Sequence, residues 1–523
     1  MIPLTVSELY DRAVLHGGDL VALSHGERRV TYGELGDQAA RLVGAFSSLG
    51  IGHGDRVAFL MANCVEYVAC EYAVANVGAV RVPLAVLLGN DDHVYMMTLA
   101  RCSVVVYHRR FASRIAAMEP LLDMVEHFIC VGGEDDELAP GHLGLEELLA
   151  TNEPVHVSPS VDPEEIAGIY FTGGTTGRPK GVMLSHRAWF HTYWMETLDF
   201  AIAPREGFVF ATPMTHAGGC LILPVLLRQG RCIVLDHFEP QLLLETIERE
   251  RATATLLVPT MIYALLDLDS RDGYDYTSLR NILYGAAAIA PDRLKQALGV
   301  FGPILTQFFG QTEAPMALAA LQREDHVIVD PRRELAVLTS AGRPTFATQI
   351  RLVDDDGVEV APGQAGEVVA RAPNMMSGYL DNPEATASAI RDGWLFTGDI
   401  ARRDEEGYYT IVDRKKDMIV SGGFNIFPRE VEDALFEHCA VKQAAVIGVP
   451  HEKWGEEVKA VVVLREGSTV SAQDLIDFVK AAKGSLMAPK SVDFVSEIPL
   501  TNLGKVDKKA IRASYWDGRS RNV

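Results

Sequence analysis

The sequence lacks any stretch long and apolar enough to span a bilayer. Its longest apolar runs, Leu221–Leu227 and Leu256–Leu266, each contain Pro and fall short of the ~20 residues a membrane helix needs. It also lacks a basic excess. There are 48 Lys and Arg against 70 Asp and Glu, a formal charge of −22. That balance excludes a general nucleic-acid or anionic-membrane surface, while a local basic site for phosphate stays open. The N-terminus has no basic region ahead of an apolar core and carries Glu8 and Asp11, so no secretory signal is expected. The seven cysteines form no CxxC pair, and no Asn-x-Ser/Thr sequon occurs. Buried thiols in a reducing cytoplasm are the expectation. Internal repeats and low-complexity tracts are absent as well.

What is present is ordinary globular composition. The chain has 523 residues, 48% hydrophobic and 23% charged. At ~150 residues per unit that length predicts several domain-sized parts with large cores and no need of staples. Up to about residue 340, short apolar runs alternate with amphipathic stretches. Arg56–Met61, Ser103–Tyr107, Glu165–Phe171, Gly207–Ala211, Cys232–Leu235, Thr255–Val258 and Asn281–Tyr284 read as strands, and Val65–Val77 has helical spacing. This alternation predicts an α/β fold of parallel or mixed sheets covered by helices. From about 345 to 412, strands Ile350–Val353, Glu367–Arg371 and Tyr408–Val412 joined by Asp/Gly turns predict a small β-barrel subdomain. A charged segment, Asp413-Arg414-Lys415-Lys416-Asp417, precedes a compact α+β unit with helices Arg429–Glu437 and Ala472–Lys480. Ser471 with Asp474 resembles a helix-capping pair. The expected division is 1–412, a junction at 413–416, and 417–523.

The run from Tyr170 to Gly181, Tyr-Phe-Thr-Gly-Gly-Thr-Thr-Gly-Arg-Pro-Lys-Gly, holds four Gly, three Thr and two cations after a strand. Glycines let backbone N–H groups approach an anion, threonines add donors and Lys180 adds full charge. The combination suits a polyphosphate. It is neither GxxxxGK[ST] nor GxGxxG, which disfavours a P-loop and a nicotinamide dinucleotide. Taken alone, it reads equally as a polar turn between a strand and a helix.

This run resembles the phosphate-binding signature of the adenylate-forming enzymes: acyl-CoA synthetases, peptide-synthetase adenylation domains and firefly luciferase. Gly173 stands where Ser is common. Further segments follow in the family's order. Pro213-Met214-Thr215-His216 resembles the substrate-side loop, and Tyr284-Gly285-Ala286-Ala287 the adenine-side loop. Phe309-Gly310-Gln311-Thr312-Glu313 is similar to Tyr-Gly-x-Thr-Glu, and Gly393 to Asp399 to Gly-Trp-x-x-Thr-Gly-Asp. Asp413 to Glu432 resembles the hinge and the segment after it, and Asn502-Leu503-Gly504-Lys505 the catalytic-lysine motif.

The resemblance implies two steps: a carboxylate attacks the α-phosphate of ATP, giving acyl-AMP and pyrophosphate, and coenzyme A then displaces AMP. It implies Mg²⁺ as well. At ~4 Å two unit anions repel by about 1 kcal/mol in water and about 4 at an effective dielectric of 20, so cations and aimed donors are needed. By resemblance, Thr172, Gly173, Gly174, Thr175, Thr176, Gly177 and Lys180 hold the β and γ phosphates. Thr312 contacts the α-phosphate, and Glu313 ligates Mg²⁺. Gly285, Ala286, Ala287 and Gly310 line the adenine, on which Phe309 stacks. Asp399 accepts the ribose hydroxyls and Arg414 reaches the same sugar. His216 lies near the acyl carboxylate. Lys505 bridges carboxylate and ribose during adenylation. Lys416 is the pivot on which the C-terminal domain rotates, bringing Gly422 and Gly423 to the thiol path. Outside the ordered set, Asp399 reads as a turn residue, Lys505 as a solvated tail charge and His216 as a structural histidine.

The acyl pocket is expected from Ala211–Cys220, Pro259–Ala264, Tyr284–Ala288 and Phe308–Met316, which are poor in charge. An apolar fatty, aryl or alicyclic acid is implied. An amino acid is disfavoured, because Ala211–Cys220 offers no Asp for an α-ammonium. Phe424 replaces the common Glu of Gly-Gly-Glu-Asn, and Met487-Ala488 the common Tyr-Lys, both towards the thiol donor. The alternatives are an acyl-AMP ligase loading a separate carrier protein or transferase, and, from another class, a non-catalytic nucleotide-binding scaffold. A homodimer is compatible with the sequence.

Overall fold

A computed structural model describes residues 4–132, 138–156, 161–172, 178–422, 424–500 and 506–516. The chain divides into two compact units. The first comprises residues 1–172, 179–350 and 370–395; the second comprises 173–178, 351–369 and 396–523. The charged segment expected as a boundary therefore falls inside the second unit.

Two large sheets build the first unit. One has eight strands in the order Gly378–Tyr379, Gly181–Ser185, Ile166–Phe171, Val80–Pro83, Arg56–Leu60, Val104–His108, His127–Val131, Leu143–Gly144. Its central pairings are parallel. Residues 104–107 in strand Val104–His108 are all buried, as parallel strands covered on both faces require. The other sheet has nine strands, with Leu305–Gln311 beside Asn281–Gly285, Ala254–Leu257, Gly207–Phe210 and Arg231–Val234 in parallel register. Strand Ala314–Leu321 returns antiparallel to Leu305–Gln311, pairing Gln311 with Ala314. The sequence leaves only Thr312 and Glu313 to make that turn.

Helix starts follow local chemistry. Thr5 with Glu8, and Thr31 with Glu34, form capping boxes on helices Val6–Gly17 and Tyr32–Ser48. Ser185 caps helix His186–Asp199 through the N–H of Ala188. Inside this unit Arg81 is ion-paired with Glu71, both buried. The Tyr10 hydroxyl donates to Glu71 at 2.9 Å, and Arg81 donates to the Tyr193 hydroxyl at 2.9 Å. A pair out of water needs such extra partners to offset desolvation.

The β-rich segment forms a five-stranded sheet in the order Gln349–Val353, Ala365–Arg371, Trp394–Arg403, Ile390–Arg391, with Tyr409–Arg414 also on Trp394–Arg403. The last part of the second unit is a sheet of Phe424–Ile426, Ile419–Ser421, Gly455–Leu464 and Val441–His451, with Ser491–Phe494 added parallel. Helices Pro428–Phe436 and Ala472–Lys483 supply Val431, Leu435, Leu475 and Val479 to its core. The expected Ser471–Asp474 pair is a capping box. Asp413 does related work at a distance. Its buried carboxylate accepts the N–H of Arg429 at 2.9 Å and of Arg414 at 2.7 Å. An acceptor at a helix start that opens with Pro428 satisfies a donor the helix cannot.

Candidate active site

In the first unit the phosphate run begins as a hairpin, not as a strand entering a helix. Strand Ile166–Phe171 pairs antiparallel with Gly181–Ser185, Phe171 opposite Gly181. The Thr172 N–H donates to the Lys180 carbonyl at 3.0 Å and closes the loop stem. Gly173, Gly174, Thr175, Thr176 and Gly177 lie outside the described residues, as do Gly423 and Lys505. Lys180 is exposed, and its ammonium stands 4.6 Å from the centre of the Tyr379 ring. The Tyr379 hydroxyl donates to Glu313 Oε1 at 2.7 Å. One side chain thus joins the lysine expected at the phosphates to the carboxylate expected at the metal. Burial, reinforced by the Glu313 charge, pushes the Tyr379 hydroxyl well above its ordinary pKa, so it stays a proton donor. The Met376 N–H holds the Glu313 carbonyl at 2.8 Å, which fixes Glu313 from its backbone as well.

The sequence reading missed Tyr379. It lies 66 positions from Glu313, and nothing in Ser377-Gly378-Tyr379 marks it. Only the pairing of Gly378–Tyr379 with Gly181–Ser185 brings it to the end of the hairpin.

The adenine-side residues divide. Ala286, Ala287 and Ala288 are exposed, and Ala286 holds φ +63°, a left-handed conformation costing an L-residue roughly 1–2 kcal/mol and concentrated at functional sites. Gly285 and Gly310 have a packing reason to be glycine. A Cβ on Gly285 would meet the Phe308 carbonyl at 2.5 Å, and one on Gly310 the Met316 backbone at 2.7 Å. Phe309 is half-buried and Thr312 partly exposed beside Glu313. Tyr284, expected in the acyl pocket, is in the core instead. Its hydroxyl contacts Gln307 at 3.2 Å and His326 at 2.9 Å.

His216 is exposed and precedes the short helix Ala217–Cys220. Its carbonyl accepts the Gly219 N–H at 3.0 Å. The loop is tight: a Cβ on Gly219 would meet the Met214 carbonyl at 2.1 Å.

In the second unit Asp399 is 2% exposed and paired with Arg414, Nε to Oδ1, at 2.7 Å. The two residues expected at the ribose are therefore together. Lys416 lies in the turn Lys415–Asp417. Gly422 holds φ +58°, is exposed, and donates its N–H to the Trp454 carbonyl at 2.9 Å. Phe424 is 58% exposed. Among the described residues no group of three or more His, Cys, Asp or Glu gathers to hold a metal. Glu313 is a lone hard-oxygen donor. That fits Mg²⁺, which keeps several waters and binds largely through substrate phosphates.

This geometry is that of a nucleotide-activating enzyme, and comparison with known proteins makes it specific. Residues 10–380 match the model of the AMP-binding enzyme family, and residues 430–505 match the AMP-binding enzyme C-terminal domain. The chain belongs to the AMP-binding enzyme family. It is 40% identical to a medium/long-chain-fatty-acid–CoA ligase of Mycobacterium tuberculosis, over 95% of this chain and 88% of that protein. It is 36% identical to a feruloyl-CoA synthase of an Amycolatopsis species, over 94% and 96% respectively. Among solved structures it is similar to the amide bond synthetase McbA of Marinactinospora thermotolerans, with TM-score 0.87, 32% identity and coverage of 97% and 99%.

Proposed function

We propose that the chain is an AMP-forming acid–CoA ligase acting on an acid with a largely apolar skeleton. The observation that carries the reading is the meeting of Lys180 and Glu313 on Tyr379. A phosphate cation and a metal-type carboxylate on one buried phenol have little use in a scaffold. The ligase relatives support coenzyme A as acceptor.

In the first step a carboxylate oxygen bonds to the α-phosphorus of ATP and the bond to pyrophosphate breaks. Thr172, the donors of Gly173–Gly177 and Lys180 hold the leaving phosphates, and Thr312 holds the α-phosphate. Each well-aimed donor is worth about 3–4 kcal/mol at the transition state. Mg²⁺ held by Glu313 would neutralise phosphate charge. Asp399 accepts the ribose hydroxyls while Arg414 keeps its carboxylate in place. Phe309 stacks on adenine against Gly285, Ala286, Ala287 and Gly310. His216 borders the acyl carboxylate, and Lys505 bridges it to the ribose. In the second step the thiolate sulfur bonds to the acyl carbon and AMP leaves. Rotation at Lys416 removes Lys505 and presents Gly422 and Gly423 to the pantetheine arm.

An acceptor other than coenzyme A, a carrier protein or an amine, is the second reading. Exposed Phe424 in place of the common Glu favours it, as does the likeness to an amide bond synthetase. All seven cysteines are free and six are buried, which supports a cytoplasmic, reducing location. No helix of the described residues is long and apolar enough to cross a membrane.

ATP–pyrophosphate exchange over fatty, aryl and alicyclic acids, with thioester formation followed in parallel, tests the proposal. Exchange with thioester is expected. Exchange without thioester moves the second step to another acceptor. No exchange with any acid overturns the ligase reading.

A further inference from the structure

Three strand ends from the two large sheets of the first unit meet on one side chain. Strand Arg56–Leu60 of the eight-stranded sheet runs on to Asn63, which is buried. Its Nδ2 donates to the carbonyl of Phe210 at 3.3 Å, the last residue of strand Gly207–Phe210 in the nine-stranded sheet. It donates at 3.0 Å to the carbonyl of Leu235, just past the neighbouring strand Arg231–Val234. It donates at 3.0 Å to the carbonyl of Thr212 as well, and Oδ1 accepts the Met214 N–H at 2.8 Å. Both ends of the amide are thus engaged, and every partner is backbone.

The bonds to Thr212 and Met214 bracket Pro213, and the Pro213 carbonyl accepts the His216 N–H at 3.1 Å. The hold on Pro213 therefore passes to His216. The hydroxyls of the loop do not share this work: Thr212 and Thr215 Oγ1 have no hydrogen-bond partner among the described residues. The loop is also packed on itself. A Cβ on Gly218 would meet Thr212 Oγ1 at 2.8 Å, and one on Gly219 the Met214 carbonyl at 2.1 Å. A shift of Thr212 or Met214 therefore disturbs both flanks of His216. An apolar residue at position 63 would take these partners from buried backbone groups, which are costly to leave unpaired. Stability accounts for an amide there, and its place adds a second use. In open α/β sheets, ligands bind beyond the carboxyl ends of the strands, and Asn63 ties three such ends together.

We propose that Asn63 is a positioning residue for acid activation: it fixes the His216 loop, and through it the acyl carboxylate, while the nucleotide side is held independently. This rests on the ligase reading and on the place of His216 in it, and deepens both. Lys180 and Glu313 depend on a different side chain, Tyr379, so loss of Asn63 should separate the acid from ATP.

The test uses the full chain and ATP–pyrophosphate exchange, with the acid of the fatty, aryl and alicyclic panel that the wild type exchanges fastest. Asn63→Ala should cut kcat/KM for that acid by ~100-fold, the scale of loss when a reacting group is misplaced by ~1 Å. The KM for the acid should rise and the KM for ATP should not move. A purely structural Asn63 would lower the Tm and the folded fraction, which moves neither KM. Asn63→Asp keeps the volume and the acceptor for the Met214 N–H but turns an oxygen on the three carbonyls, so it should show the same split. It decides the matter should Asn63→Ala not fold. His216→Ala should lower kcat/KM for the acid, and the double variant Asn63→Ala/His216→Ala should be no slower than the slower single, because the two changes act through one contact chain. Unchanged acid kinetics in folded Asn63 variants, an equal rise in both KM values, or losses that multiply in the double variant overturn this proposal and leave the ligase reading standing. A His216→Ala without effect on the acid removes the place of His216 and this proposal with it. Exchange with no acid removes the ligase reading too.

Discussion

Tyr379→Phe is the most informative single change. It removes one hydroxyl and keeps the ring, so the 2.7 Å bond to Glu313 is lost while the ring 4.6 Å from Lys180 remains. A hydrogen bond to a charged group contributes about 1.5–3 kcal/mol. At 1.36 kcal/mol per tenfold, that is roughly 10- to 150-fold, in line with the ~10–100-fold typical for a residue that orients a metal ligand. The loss should fall on the Mg²⁺ dependence of pyrophosphate exchange, as a higher Mg²⁺ concentration for half-maximal rate. The KM for the acid should not move. Tyr379→Leu should add a smaller loss in ATP affinity, because a solvent-exposed cation beside an aromatic ring is worth ~0.5–1 kcal/mol. No titration of Tyr379 should show between pH 7 and 10, since burial and the Glu313 charge hold the hydroxyl protonated. An unchanged Mg²⁺ curve in a folded Tyr379→Phe would refute the claim that this phenol orients the carboxylate.

Lys505→Ala should abolish acyl-AMP formation yet spare thiol attack on supplied acyl-AMP; equal loss of both steps in stopped-time assays would reject the assigned role. Lys416→Pro should leave adenylation near wild type and slow thioester formation at least ~10-fold, as expected of a pivot far from the chemistry; an unaffected second step counts against it. Asp199 gives a pH prediction for stability. Burial raises its pKa from 3.8 to about 6, so between those values the folded state binds more protons than the unfolded. Its contribution to stability is full below the lower value and lost as pH rises through the upper, ~1–2 kcal/mol once solvent screening at this part-exposed site is allowed for. The difference in unfolding free energy between Asp199→Asn and wild type should therefore grow from pH 4 to 7, and a flat difference in denaturant titrations would contradict the assignment.

The sheets were legible because their strands announce themselves locally. Val104 to Tyr107 is an unbroken run of β-branched and aromatic residues, the pattern of a strand covered on both sides. The stem of the expected phosphate loop was not legible as architecture. Gly181–Ser185 is short and runs straight into a capped helix, so it reads as helix approach until its partner strand is seen. Tyr284 shows a different difficulty. Alternation says which residues share a face, but not whether that face meets substrate or core, and its hydroxyl is used by Gln307 and His326. Tyr379 was beyond reach because it matters through a partner far away in the chain and leaves no periodic trace.

The charged segment illustrates why residue type alone misleads. Asp413-Arg414-Lys415-Lys416-Asp417 reads as a solvated run, yet nearly every charge in it is bound. Arg414 is paired with Asp399 at 2.7 Å, and Lys415 with Asp355 at 2.8 Å and Glu367 at 3.0 Å. These tie the front of the segment to the five-stranded sheet. Asp417 is paired with Arg512 at 2.8 Å, on the helix Lys508–Ala513 that follows Lys505 in sequence. The two sets of pairs hold opposite sides of one residue, Lys416. A torsion change there would leave both sets intact but disturb what crosses the segment: the Met418 N–H to the Arg414 carbonyl at 3.2 Å, Asp413 to the Arg429 N–H, the 3.6 Å pair of Arg402 with Glu430, and the buried cluster of Ile400, Val412, Met418 and Phe427. Exposed pairs of that length contribute ~0–1 kcal/mol, and one hydrogen bond to a carboxylate about 1.5–3. Those polar bonds are small beside a catalytic barrier, whereas each side chain of the apolar cluster costs about 1.5–3 kcal/mol to expose fully; the rotation we propose at Lys416 therefore has to re-cover these side chains, and it leaves the Asp399–Arg414 pair made.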